Sequence, residues 1–524
     1  MMINIPQKIP IATAFGTVVL FVAACGGSNQ DQANSGLDSG IKVQADQVLS
    51  SGTQLQMRHD NHDVSQKQGD DGKEQSDKVL PVAPNASGQA ATFSTQGFID
   101  KTNPFFKAFG NGRTCASCHQ ENEGWSISPR QLLARFNQTA GTDPIFALVD
   151  GANSPLADVS TLAARRTAYS MLLNKGLIRI GIGIPADAEF VLEKVDDPYG
   201  FASAKELSLF RRPLPSTNLK FLSTVMWDAR ETFKDPNSLL CILNTTNCFA
   251  SLDLNLAHQS NGAVRGHEQA ADDLTPDEQR SIVQFEMSLF TAQVYDDEAK
   301  NLTLSGARGG PRTLSMADFY FGINDVLSGD YKTHASFDAN AMTLYPAWLS
   351  ATEKDQEEGY DNPKIARARQ AIARGEALFN TAPINIAGVS GINDELKIPV
   401  LKGTCTTCHN TPSAGSHSTP LPLNIGLSDA SRRTPDQPLY TLRNILTGET
   451  VETTDPGRAL LTGKWQDIGR FKGPVLRGLA ARPPYFHNGS AKDLEEVVNF
   501  YNTRFDIHFT PQEISDLVAF LKAL

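Results

Sequence analysis

Two short stretches carry the residues best suited to chemistry, Cys115-Ala116-Ser117-Cys118-His119 and Cys405-Thr406-Thr407-Cys408-His409. Two thiols three positions apart can both add to the vinyl groups of one porphyrin, and the histidine that follows is then held beneath the iron as its proximal ligand. Each copy therefore predicts one covalently bound haem c, attached through Cys115 and Cys118 or through Cys405 and Cys408, with His119 and His409 on the irons. Other uses of paired thiols fit less well. A zinc ribbon brings its second pair about 15–20 residues after the first, whereas these pairs lie in opposite halves of the chain. A redox dithiol gives no reason for a histidine after both copies.

The elements that must position these groups come from a chain of 524 residues, long enough for about two to four domains. Its formal charge of −11 argues against a nucleic-acid partner and suits docking to basic redox proteins. Near the start, Lys8 precedes an apolar run from Ile9 to Ala24, too short for a comfortable membrane span and right for the core of an export signal over residues 1–24. The run ends in Val22-Ala23-Ala24-Cys25-Gly26, which resembles the lipobox of bacterial lipoproteins. That resemblance implies a lipid anchor on Cys25 and, with glycine after the cysteine, the periplasmic side of the outer membrane. An ordinary cleaved signal would instead leave the protein soluble in the periplasm. In such an oxidising compartment Cys241 and Cys248 are expected to close a small disulfide loop.

Residues 25–94 are rich in Gly, Ser, Asn, Gln and Asp and read as a disordered tether, its His59 and His62 merely solvated. Residues 95–300 read as a first haem domain, with helical spacing at Leu162 to Leu173 and Pro276 to Leu289 and a break at Gly181-Ile182-Gly183-Ile184-Pro185. Residues 301–362 form a connecting insertion in which Tyr345 and Trp348 suggest packing onto a neighbour. The second haem domain, 363–524, opens with Ile365, Ala368, Ile372, Gly375 and Phe379 on one stripe, where Gly375 would let another helix approach. It closes with the capping box Thr510-Pro511-Gln512-Glu513 and an apolar face of Ile514, Leu517, Val518 and Leu521. The expected fold is mainly α, two c-type cytochrome-like haem domains with loop insertions and little β.

Further motifs carry a resemblance. Gly469-Arg470-Phe471-Lys472-Gly473-Pro474, Pro484-Tyr485-Phe486-His487-Asn488-Gly489 and Leu494-Glu495-Glu496-Val497-Val498-Asn499-Phe500-Tyr501, with Met226-Trp227-Asp228-Ala229-Arg230 in the first half, resemble the bacterial di-haem cytochrome c peroxidase/MauG family. Ala229 stands where that family usually has glycine. The resemblance implies that the His119 haem meets hydrogen peroxide while the His409 haem exchanges electrons with a small redox protein or a protein substrate. It places Gln259, His267 and Glu268 where the family keeps its distal glutamine and glutamate, His267 or Glu268 being the acid/base, and makes Trp227 the relay between haems. Tyr501 occupies the position of the second haem's sixth ligand, a methionine in conventional members and a tyrosine in MauG-like ones; its other reading is a half-buried helix tyrosine bonded elsewhere. None of the eight methionines lies after Met342, so none within the second domain can replace it. Arg477 and His487 are candidates for haem propionates or for structural roles, and a calcium ion between the domains is implied by the family without a ligand run in this sequence.

The expected function is that of a peroxide-reducing, exported di-haem oxidoreductase. The alternative is a lipid-anchored electron-transfer cytochrome with both haems six-coordinate and no peroxidase activity, and oxygenase chemistry shares the same motifs.

Overall fold

Thr510-Pro511-Gln512-Glu513 starts a helix as its pattern predicts: Thr510 Oγ1 accepts from the Glu513 amide at 3.3 Å, and Glu513 Oε2 accepts from the Thr510 amide at 2.8 Å. Thr275 and Glu278 repeat the arrangement at 3.2 and 3.0 Å. Each box satisfies two amides that a helix start leaves without intrahelical partners. The computed structural model describes residues 80–232, 245–350 and 363–524, with the backbone alone at 245–251. The export signal, Cys25, the tether up to residue 79 and the Cys241–Cys248 pairing lie outside the described residues.

Six longer helices occur among the described residues: α1 (Pro129–Thr139), α2 (Thr245–Gly266), α3 (Pro276–Ser288), α4 (Pro363–Thr381), α5 (Leu494–Arg504) and α6 (Pro511–Lys522). Helices α4 and α6 cross with Ile372, Phe379, Leu517, Phe520 and Leu521 in one core cluster. Gly375 sits at the crossing. A Cβ there would lie 2.7 Å from Phe520 Cβ and inside the van der Waals radius of the Asp516 carbonyl oxygen. Arg374 pins the same point by a two-pronged ion pair to Asp516, at 2.7 and 2.8 Å. Gly375→Ala is therefore expected to cost about 1–3 kcal/mol as the helices are forced apart, measurable by chemical denaturation.

The expectation of a mainly α fold with little β is corrected. The described residues are 32% helix and 18% strand, a mixed α and β structure with four sheets among them. Strands β1 (Val82–Asn85) and β2 (Gly88–Ser94) join β6 (Leu289–Asp296) and β7 (Lys300–Asn301) in the order β1-β2-β6-β7. Residues 82–94, which composition assigns to the tether, are thus sheet. On β2, Ala90, Ala91, Thr92 and Ser94 are buried in the pairing with β6, where Ala91 faces Ala292 and Phe93 faces Phe290. Small and polar residues can fill a sheet when the partner strand supplies the bulk.

The other sheets include β3 (Ile178–Ile182) with β5 (Leu207–Arg211), and β8 (Ile384–Ala387) with β9 (Val400–Gly403). The last joins the halves of the chain: β4 (Phe190–Asp196) pairs with β10 (Leu439–Asn444), which pairs with β11 (Thr450–Thr453). Buried Tyr440 reaches from β10 to the Ser208 carbonyl at 2.8 Å and accepts the Ser208 amide at 2.9 Å. Of the connecting insertion, Leu302, Met342, Leu344, Tyr345 and Trp348 pack in the core cluster of α4 and α6. Tyr345 and Trp348 are fully buried and stacked at 4.9 Å, and the Tyr345 hydroxyl donates to the Ala523 carbonyl at 2.6 Å.

Candidate haem centres

Both Cys-Xaa-Xaa-Cys-His motifs fold as the same tight turn. Ser117 Oγ accepts the Thr114 amide at 3.0 Å and Thr407 Oγ1 accepts the Thr404 amide at 2.9 Å, while the His119 and His409 amides fold back onto the carbonyls of Cys115 and Cys405. A hydroxyl at the third position of each motif thus caps its own turn and holds the two thiols beside the imidazole. Cys115, Cys118 and His119 line a cavity with an open volume of about 1360 Å³; Cys405, Cys408 and His409 line a second of about 1460 Å³.

The imidazoles are set up alike. A carbonyl oxygen can only accept, so His119 Nδ1 donates to Trp125 O at 3.2 Å and His409 Nδ1 donates to Gly415 O at 2.7 Å. Each Nε2 lone pair is thereby left for a metal. Burial favours the neutral ring, pushing His119 down to about 4 and lowering His409 as well. The carbonyl that fixes His119 is itself anchored, because Trp125 Nε1 donates at 3.0 Å to Thr92 on β2. The buried thiols are held protonated, Cys118 near 11 and Cys405 and Cys408 near 12. That opposes a reactive dithiol, whose nucleophile is the thiolate. Among the described residues no cluster of three or more His, Cys, Asp or Glu side chains is placed to hold a metal ion.

The two cavities differ in chemistry. Gln259, His267 and Glu268 all lie on the wall of the first. His267 Nδ1 is engaged with Asp150 Oδ2 at 2.6 Å, and Asp150 also takes Arg113 Nη1 at 2.6 Å. Glu268 is buried, with Oε1 accepting from the Cys115 thiol at 3.4 Å and Oε2 without a partner among the described residues. Burial raises its carboxyl to about 7. Sequence reasoning missed Glu286, fully buried on α3, lining the same cavity with one bare oxygen and raised by burial to about 8. The signal was a glutamate inside the apolar run Ile282-Val283-Gln284-Phe285-Glu286-Met287.

The second cavity is lined mainly by apolar groups, among them Phe379, Leu423, Leu427, Val498 and Phe505. Tyr501 lies on its wall between Phe486, Phe500 and Phe505, and burial holds its phenol well above the usual range. No hydrogen bond from its hydroxyl is present among the described residues, so the alternative of a tyrosine bonded elsewhere gains no partner here. Arg477 lines neither cavity, and its guanidinium donates to the carbonyls of Ser413 at 2.9 Å and Leu524 at 3.1 Å. His487 stacks on Phe471 at 3.9 Å, with neither ring nitrogen partnered among the described residues.

Trp227 lines both cavities, its Nε1 donating to the Arg212 carbonyl at 2.7 Å. The segment around it is held by a buried ion network in which Asp228 takes Arg211 at 2.6 Å and Arg230 at 3.0 Å, while Arg211 also pairs with Asp455 at 2.7 Å. Ala229 adopts φ of 59°, the left-handed turn that explains why glycine suits this position.

Proteins named cytochrome c peroxidase are similar to parts of the chain. IdrP1 of Denitromonas iodatirespirans, a cytochrome-c peroxidase, is 33% identical over 142 residues, 24% of this chain and 37% of that protein. The cytochrome c551 peroxidase of Nitrosomonas europaea is 31% identical over 177 residues, 32% of this chain and 46% of that protein. The chain thus spans less than half the length of these relatives, and the partial matches support the resemblance to di-haem peroxidases that the motifs carry. No family model matches. A crystal structure of a MauG-like protein associated with microbial copper homeostasis aligns over 85% of this chain and 93% of its own, at 14% identity and a TM-score of 0.34, too low for a shared fold to follow.

Proposed function

We propose that this chain is an exported di-haem oxidoreductase that reduces hydrogen peroxide at its first centre with electrons delivered through the second. The observation that carries this is one geometry built twice with different surroundings: two thiols and a neutral imidazole on the wall of each cavity, carboxyls added in the first, a mainly apolar lining without a carboxyl in the second, and Trp227 in both. Cys115, Cys118 and His119 would hold one haem c and Cys405, Cys408 and His409 the other. The iron of the first would supply the site at which the peroxide O–O bond breaks.

The chain's own groups do the rest. Glu268, with a bare oxygen and a carboxyl that titrates near neutrality, is suited to take a proton from one peroxide oxygen and return it to the other. Gln259 can hold the peroxide by its amide. His267, oriented by Asp150, can share the proton. Trp227 offers an indole midway for electron relay, and Tyr501 a hard oxygen ligand for the second iron, which favours its ferric state. The donor would be a small redox protein or, in a MauG-like variant, the side chains of a protein substrate. Lipidation of Cys25 would anchor the enzyme on the periplasmic side of the outer membrane. The calcium ion that the resemblance implies finds no carboxylate cluster among the described residues, and no role is assigned to it.

The test is the spin state. Protein matured in a host competent for cytochrome c should show one high-spin haem by electron paramagnetic resonance and should consume peroxide. Two irons that stay low-spin in every redox state and inert to peroxide would leave the electron-transfer cytochrome instead.

A further inference from the structure

Trp227 is not alone in the wall between the cavities. Lys472 lines both of them, is only 6% exposed, and donates its amide to the Trp227 carbonyl at 2.8 Å. Its ammonium stands 5.9 Å from the centre of a Trp227 ring. Among the described residues no carboxylate lies within ion-pair distance of it, and the charge that bears on it is a like one, Arg482. Arg482 and nearby Arg212 are hydrogen-bonded to carbonyls, Arg482 to Arg477 at 2.6 Å and Arg212 to Ile127 at 2.8 Å, and the carboxylate that bears on Arg212, Glu123, does not reach Lys472.

The other titratable groups of these cavities do not compensate it. Glu268 faces Cys115 and Glu286 is held protonated by burial, while His417, which lines the second cavity near Lys472, adds a bare Nε2 and no negative charge. A buried ammonium among cations is costly unless an anion joins it or it gives up its proton. Without such an anion, burial lowers it to about 7. The porphyrin that the cysteine turns fit carries two propionate groups, the anionic partner that this wall lacks.

We infer that Lys472 is an anion anchor shared by the two haem centres, its ammonium pairing with porphyrin propionate in both cavities and standing as a fixed charge beside Trp227. This rests on the two-haem reading above. A positive charge near both irons stabilises the reduced state of each, so its removal acts on two centres at once. The expected result for Lys472→Gln is two haems retained, both midpoint potentials shifted downward in a spectroelectrochemical titration, and wild-type values kept in Lys472→Arg. Potentials that match wild type in Lys472→Gln overturn the inference, and a shift confined to one haem overturns the shared role. If Lys472→Gln does not fold, the propionate bending bands of wild type and Lys472→Arg in resonance Raman read the same contact: a band that differs between them supports it, and identical bands overturn it. Protein with fewer than two haems by mass fails the proposed function itself, which separates the two failures before any titration.

Discussion

Cys115→Ala combined with Cys118→Ala is expected to yield a protein one haem lighter that still accepts an electron at its second centre and no longer consumes peroxide. The two thiols lie with His119 on the wall of the first cavity, while Cys405, Cys408 and His409 line a different one. Loss of the first attachment therefore removes one added mass and leaves the other. The converse change, Cys405→Ala with Cys408→Ala, should keep the first haem and its access to peroxide but cut the supply of electrons, so that reaction with peroxide occurs once and does not turn over. Intact mass and peroxide consumption measured on the same preparations check both. A double variant that still carries two haems, or wild type that carries none after export, would undo the assignment of both cavities.

Glu268→Gln is expected to slow peroxide turnover by about 100- to 10,000-fold, the usual worth of a positioned acid/base. It should leave both haems bound. The effect also has a sign in pH. Burial raises the Glu268 carboxyl from 4.5 to about 7, so the ionised form that can accept a peroxide proton grows as pH rises through about 7. Wild-type turnover should climb across that range, and Glu268→Gln should lose the inflection. The same shift acts on stability in the opposite sense. A carboxyl whose folded value is raised binds its proton more tightly folded than unfolded, so its contribution falls as pH rises from about 4.5 to about 7. A turnover profile for Glu268→Gln that overlays wild type would pass the role to His267, whose Nδ1 is already held by Asp150.

The chemistry was legible in the sequence where it depends on local spacing. Cys115 to His119 and Cys405 to His409 each fold within five residues, so their pattern alone predicts the shared turn. The capping box at Thr510, the stripe of α4 and the close approach at Gly375 are also short-range, and the structure shows each. What the sequence hid depends on distant partners. Gly88 to Ser94 reads as linker because its residues are small and polar, and only β6, far along the chain, turns them into a buried strand. In β4 only Phe190 is buried, so no alternation marks it. Glu286 escaped for the same reason: its significance comes from a cavity assembled by many segments, and one glutamate in an apolar helix face gives no spacing to read.

The sheet that takes β4 from one half of the chain and β10 from the other has a consequence for how the protein is made. Its hydrogen bonds join residues near 190 to residues near 440, so it cannot form until most of the polypeptide has been delivered. Once it has formed, the four thiols lie on cavity walls and are only partly exposed. On the two-haem reading, ligation is expected before this seam between the halves closes, while each cysteine pair is still within reach of the ligating machinery.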